Sequence, residues 1–263
     1  MIEKNSLLQL DYVGENNNIV LITLNRQKVL NALNGKMLNE LSNLFKSLKE
    51  KKDVRVVIIY AEGKSWSAGA DLKWTASLGW RVMRAIKKGQ KVFSQIENHP
   101  TPVIAAINGY ALGGGIELAL SCDIRIAAET ALFGFTETTI GLLPSWGGTY
   151  RFPNVVGLSV AEDLILTGRR FSADEALKIG LISEKVPLEE LKTKAIEKAE
   201  TIAQNAPIAL REAKKAIKKG LSSSIDGGYR AEAKGIKKCF RTKDIREGIK
   251  SVFEKRKPEF KGE

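Results

Sequence analysis

Two glutamates about twenty residues apart carry the strongest chemical signal in this 263-residue chain. Glu117 closes the run Gly113-Gly114-Gly115-Ile116-Glu117. Glu137 lies in Phe133-Gly134-Phe135-Thr136-Glu137-Thr138-Thr139, shortly before Gly141, Pro144 and Gly147-Gly148. Three consecutive glycines between a strand-like run and an amphipathic run leave backbone N–H groups open at a helix N-terminus, where the helix dipole favours negative charge. That arrangement suits an oxyanion, and it equally suits a tight strand-to-helix turn with no ligand. A carboxylate in the first turn is favoured by the same dipole, and a loop carboxylate needs no chemical role, so neither glutamate decides the matter by itself. The glycine spacing is not the G-x-G-x-x-G of a dinucleotide site, and no acidic residue ends a following strand where such a fold needs one. A third segment, Ser65-Trp66-Ser67-Ala68-Gly69-Ala70-Asp71-Leu72-Lys73, again sets small residues after a strand-like run and exposes backbone donors. Asp71 in it is placed to cap a helix.

Scarcity narrows the chemistry further. The chain has one histidine, His99, and two cysteines, Cys122 and Cys239. A Ser-His-Asp or Cys-His triad would need that one imidazole, and zinc sites built from His clusters or CxxC pairs have no material here, so no metal is expected. His99 sits in Asn98-His99-Pro100-Thr101-Pro102 and reads as a structural or exposed loop residue. Any acid and base must then come mostly from carboxylates. Two cysteines in a chain of this length exclude a disulfide scaffold and point to a reducing compartment. The stretch from Val103 to Ala128 is the most apolar, yet Asn108, Glu117, Asp123 and Arg125 interrupt it, so no membrane span is expected. Met1 to Asn5 carry no basic segment leading into an apolar run, which makes the expected location cytoplasmic.

The elements that must position these groups read as α/β. Ile19 to Leu24, Val54 to Tyr60, Val103 to Ile107 and Ile124 to Ala127 are β-branched runs bounded by polar or Gly/Pro residues, and predict strands. Helical spacing of apolar residues predicts helices over Asn31 to Lys52 and Leu78 to Glu97. After about Leu188 the chain turns Lys/Glu/Ala-rich. Pro207 is expected to start a second helical segment, Gly227-Gly228 to break it, and a third to run from about Tyr229 to Lys257. Lys185 to Glu263 hold 21 basic and 12 acidic residues, so nine of the twelve excess positive charges fall there. A basic excess raises the prospect of nucleic-acid binding. Against it, the positives alternate with Glu as on a solvated helix face, and no aromatic-rich motif accompanies them, so nucleic acid is not expected as the main partner.

Taken together, these segments resemble the crotonase superfamily, the enoyl-CoA hydratase/isomerase family, along nearly the whole chain. Ala68-Gly69-Ala70-Asp71-Leu72 and Gly113-Gly114-Gly115-Ile116-Glu117 look like that family's first and second oxyanion segments. Leu24-Asn25-Arg26, Asn31-Ala32-Leu33, Gly168-Arg169-Arg170-Phe171-Ser172-Ala173 with Ala176 and Gly180-Leu181-Ile182, and Glu254-Lys255-Arg256-Lys257-Pro258 match its other patches in order. The resemblance implies a crotonase-like spiral of β-β-α units over residues 1–200, with a C-terminal helical trimerisation segment over 201–263, assembled as a homotrimer or homohexamer.

It implies an acyl-CoA substrate whose thioester oxygen accepts hydrogen bonds from the N–H groups of Ala70 and Gly114, with no cofactor beyond the CoA that the substrate carries. Glu117 would activate the water that attacks C3, and Glu137 would deliver a proton to C2. Because isomerases of the family can work with the second position alone, Glu117 favours hydration of a trans-2-enoyl-CoA, or the reverse dehydration, over isomerisation. Lys28, Lys64 and Lys73 flank the implied CoA groove, and Lys255 holds the position that reaches a neighbouring subunit's ligand. Ala32, Leu33 and Ala68 would hold pantetheine and adenine through their backbone, with Asp71 and Leu72 beside them. Trp74, Trp80 and Trp146 would narrow the acyl pocket to short chains. Departures are Gln27 after Asn-Arg, Ser145 after Pro144, and Val252 at a commonly aromatic position.

Overall fold

The computed structural model describes residues 6–263. Met1 to Asn5, on which the reading of no signal segment rests, lie outside the described residues. The chain opens with an antiparallel hairpin of β1 (Leu8–Val13) and β2 (Ile19–Leu24), followed by α1 (Gly35–Leu48). A repeated pattern then sets in: β3 (Val56–Ala61) and β4 (Ser65–Ser67) lead to α2 (Leu72–Ser77) and α3 (Val82–Glu97), and β5 (Val103–Ile107) and β6 (Tyr110–Leu112) lead to α4 (Gly114–Ser121). A further turn comprises β7 (Ile124–Ala128), β8 (Leu132–Gly134), α5 (Gly148–Val156) and α6 (Leu158–Thr167). Then come β9 (Arg170–Ser172), α7 (Ala173–Lys178), β10 (Glu184–Val186) and the helices α8 (Leu191–Ala203), α9 (Pro207–Leu221), α10 (Ile225–Cys239) and α11 (Lys243–Glu254).

In each turn the first strand joins one sheet and the second joins another. The large sheet has the order β1-β2-β3-β5-β7-β10 and the small one β4-β6-β8-β9. Neighbours in the large sheet are parallel beyond the opening hairpin. The result is the expected spiral of β-β-α units. Its parallel strands are apolar on both faces, as a sheet covered on both sides requires. Val20, Ile22, Val57 and Ile59 point to the core shared with α1, α3 and the small sheet, while Ile19, Leu21, Val56 and Ile58 point to Leu191, Ala195 and Ala199 of α8.

Helix boundaries differ from the periodicity in instructive ways. α1 starts at Gly35 because Asn34 caps it, its Oδ1 accepting from Met37 N at 2.9 Å, while Asn31 to Leu33 are needed elsewhere. The chain before Val82 makes a short 3₁₀ turn from Gly79. Gly227 and Gly228 do not break a helix; they lie inside α10. The break falls at Ser222 to Ser224, where Ser224 caps α10. The glycines permit close packing, since a Cβ on Gly228 would lie 3.4 Å from Gly220 Cα of α9. The expected third helix is two helices, divided where Thr242 caps α11 through Ile245 N at 3.3 Å.

His99 is buried against Phe45, with ring centroids 5.3 Å apart, and burial pushes its imidazole down to about 4. Its role is structural. Among the described residues no helix is long and apolar enough to cross a membrane. Much of the terminal positive charge is paired within the chain: Lys214 with Asp123, Lys215 and Lys238 with Glu212, and Arg256 with Glu247.

Candidate active site

The Ala68 to Leu72 segment is held by a short parallel bridge between Leu33 and Ala70. Leu33 N donates to Gly69 O at 2.8 Å and Asp71 N donates to Leu33 O at 3.0 Å, so the Ala70 N–H between them points away from Leu33. Asn31 secures this turn: its Nδ2 donates to Ser65 O at 2.7 Å and Glu62 O at 2.9 Å, and its own carbonyl accepts from Ser67 Oγ at 2.9 Å. That is why the helical pattern cannot begin at Asn31.

Gly69 and Gly113 bring the two segments together. Gly69 has φ +91°, and a Cβ there would fall 2.6 Å from Leu112 O; Gly113 has φ +50°, and a Cβ there would fall 2.9 Å from Glu137 Oε1. No other residue type fits either place without displacing the backbone or the carboxylate. Gly114 then begins α4, so its N–H has no carbonyl four residues back within the helix. A Cβ on Gly114 would lie 3.3 Å from Ala70 N, which sets the two donors side by side.

Glu117 stands in the first turn of α4 and is 2% exposed. Its Oε1 accepts from Trp146 N and from Gly148 N, both at 2.7 Å. Burial pushes its carboxyl up to about 7, the Glu137 charge adds to the rise, and the two N–H donors and the Arg151 charge oppose it. Glu137 immediately precedes the 3₁₀ turn Thr138–Ile140 without capping it through its side chain, and Gly141 ends that turn in the left-handed region. Burial raises this carboxyl as well, and its Oε2 is buried without a hydrogen-bond partner among the described residues. A cavity of about 280 Å³ joins both carboxylates to Ala70 and Gly114. Leu72, Trp74, Val82, Ile86, Leu142 and Leu143 give it apolar walls.

The raised proton affinity of Glu117 has a consequence for stability. An acid lifted from 4.5 to about 7 holds its proton more tightly folded than unfolded. Its contribution is therefore intact below the unfolded value, declines as pH rises through the interval, and is fully lost above the folded value, a cost of about 3 kcal/mol. Glu117→Gln cannot ionise and keeps an oxygen for the two N–H donors. The difference in Tm, variant minus wild type, is expected to grow between about pH 5 and about pH 8 in thermal melts; a difference independent of pH contradicts the burial cost.

Of the residues singled out by sequence, the cavity unites Glu117, Glu137, Ala70, Gly114, Ala68 and Leu72. Leu33 stands behind it with its backbone N–H and C=O engaged as described. The Ala32 carbonyl accepts from Arg26 Nη1 at 2.8 Å. The Asp71 carboxylate caps α2 through Trp74 N at 3.0 Å and pairs with Arg26 at 2.7 Å, so it holds scaffold. Lys28, Lys64, Lys73 and Lys255 are exposed and do not line this cavity. Trp74 and Trp146 line it, but Trp80 does not: it is 78% exposed, with Arg81 and Arg84 over its ring. Sequence reasoning missed the Trp146 and Gly148 N–H groups that hold Glu117. The Gly147-Gly148 pair was the one available signal, because backbone donors leave no side-chain pattern.

A spiral of β-β-α units thus brings one buried and one half-buried carboxylate to a cavity shared with two backbone segments, the architecture of the crotonase fold. The enoyl-CoA hydratase/isomerase family model matches residues 14–263. The chain is 41% identical over 243 residues to a short-chain-enoyl-CoA hydratase from Clostridium acetobutylicum, covering 92% of this chain and 93% of that protein. It is 40% identical over 244 residues to a crotonyl-CoA hydratase from Syntrophomonas wolfei, covering 92% and 94%. A solved enoyl-CoA hydratase from Bacillus anthracis superposes with a TM-score of 0.95 at 44% identity, covering 98% of this chain and all of that one. The chain belongs to the enoyl-CoA hydratase/isomerase family of the crotonase superfamily.

Proposed function

We propose that this chain is a hydro-lyase, an enoyl-CoA hydratase, adding water reversibly to a short trans-2-enoyl-CoA. The observation that carries the reading is the buried Glu117 and half-buried Glu137, both with raised proton affinity, sharing one cavity with the donors of Ala70 and Gly114. In the hydration direction Glu117 takes a proton from water as the water oxygen bonds to C3. The C2–C3 π pair moves towards the thioester, making an enolate whose oxygen accepts from Ala70 and Gly114 N–H. The enolate then takes a proton at C2 from Glu137. Proton exchange with water resets both carboxyls. Fixed donors stabilise the charge that develops on the oxygen, each contributing roughly 10²- to 10³-fold in rate. Coupled carboxylates of this kind titrate as a pair with two apparent values, which keeps one proton on the pair in the working range.

On the same reading the CoA phosphates meet Lys28, Lys64 and Lys73, and Lys255 reaches the ligand of a neighbouring subunit, with residues 201–263 forming the trimerisation segment of a homotrimer or homohexamer. The substrate's own CoA is the one carrier required. A reducing, cytoplasmic setting suits the free thiols of Cys122 and Cys239.

The discriminating assay supplies 2-enoyl-CoA and 3-enoyl-CoA in parallel. Faster consumption of the 2-enoyl compound is expected; conversion of the 3-enoyl compound with no hydration of the other identifies an isomerase. The small cavity with Trp74 and Trp146 in its wall supports short chains. kcat/KM is expected to fall from four-carbon towards sixteen-carbon substrates, and a steady rise contradicts that limit.

A further inference from the structure

The groups that hold Glu117 are themselves held by residues one layer farther from the cavity. Arg151 of α5 is buried, and its Nη1 donates to Trp146 O at 3.0 Å while its Nη2 donates to Glu97 Oε2 at 2.7 Å. The Trp146 carbonyl lies between the two N–H groups, of Trp146 and Gly148, that grip Glu117 Oε1. A guanidinium bridging a carbonyl and a carboxylate fixes the orientation of that peptide through its planar fork. Its Nε is buried without a partner among the described residues, which carries a desolvation cost.

The indole of Trp146 is wedged in the same way. A Cβ on Gly89 of α3 would fall 2.4 Å from its Nε1, and one on Gly114 of α4 would fall 2.7 Å from its Cζ3. Phe93 meets the indole edge-on with centroids 5.5 Å apart. Gly89, Phe93 and Glu97 recur every four residues, so one face of α3 forms the socket for the segment that carries the Glu117 donors.

We propose that Glu97 and Arg151 are positioning residues, which act through the Trp146 to Gly148 backbone to orient Glu117 and set the pH at which it can accept a proton. The proposal rests on Glu117 being the base of the hydration. The charges around Glu117 are Glu137, which raises its proton affinity, and Arg151, which lowers it. Behind them, Arg151 and Glu97 border a second cavity onto which Asp123 and Arg125, and Lys214 and Lys218 of α9, also face.

The two substitutions therefore push in opposite directions. Arg151→Gln removes a positive charge and is expected to move the acid limb of kcat/KM for crotonyl-CoA hydration to higher pH. Glu97→Gln frees the guanidinium of its counter-charge and is expected to move it to lower pH, each by roughly half a unit or more. Arg151→Gln is further expected to lower kcat at least about tenfold with KM nearly unchanged, as misplacement of a base does. Arg151→Lys should recover part of that loss. Limbs that do not move, or move together, assign the pair a packing role and overturn the proposal. If Arg151→Gln does not fold, Glu97→Gln decides, because Glu97 is partly exposed and the amide still accepts from Arg151. Glu117→Gln in the same series separates the two claims. Full activity there removes the reading on which the proposal rests, whereas an inactive Glu117→Gln with unmoved limbs removes only the positioning role.

Discussion

Glu117→Gln and Glu137→Gln are each expected to lower crotonyl-CoA hydration by about 10²- to 10⁴-fold, the contribution of a positioned acid or base. Neither substitution changes the shape of the site. In Glu117→Gln the side-chain amide oxygen can still accept from Trp146 and Gly148 N–H, and removal of a costly buried charge favours the fold above neutrality, so a loss of rate cannot be charged to unfolding. Glu137 makes the complementary case, because its Oε2 is buried without a partner among the described residues and its proton affinity is raised by burial. A group in that state is a protonated acid over a wider pH range than an ordinary carboxyl, which is what delivery of a proton to C2 requires. Initial rates measured beside Tm check both variants, and full activity in either one contradicts its assigned role.

The second large effect concerns a donor that has no side chain. Gly114→Pro deletes the N–H to which we assign the oxyanion role at a position, the first of the helix, where proline is well suited. Its ring carbon would also crowd Trp146 Cζ3, which lies 2.7 Å from the Cβ position. Gly114→Ala makes the same contact but keeps the N–H. The ratio of the two variants therefore reports loss of the donor together with the ring carbon that takes its place: Pro is expected to turn over at least about 10²-fold more slowly than Ala. Their affinities for CoA should be similar, because charge on the oxygen is fully developed only in the transition state. Equal turnover of Pro and Ala contradicts the oxyanion role.

Both glutamates, both glycine segments and the long strands were legible because their signals are local. β2 and β5 fall where the β-branched runs predict them, and Pro207 opens α9. The three-residue strands β4, β6, β8, β9 and β10 are too short to carry a period and are defined by their partners. Gly227 and Gly228 misled for a related reason: glycine marks a break in isolation, but here it admits a neighbouring helix. The local sequence marks Asp71 as a cap, yet its pairing with Arg26, far away in the chain, has no local trace. The same holds for Arg151 and Glu97, which meet only once α5 has packed on α3.

The central claim is that Glu117 and Glu137 add water across a conjugated enoyl thioester. The most direct measurement incubates purified protein with crotonyl-CoA and follows the absorbance of the conjugated enoyl group. Loss of that absorbance with formation of 3-hydroxybutyryl-CoA is expected, abolished by Glu117→Gln and by Glu137→Gln. Unchanged absorbance with active, folded protein, or loss that survives both substitutions, would contradict it.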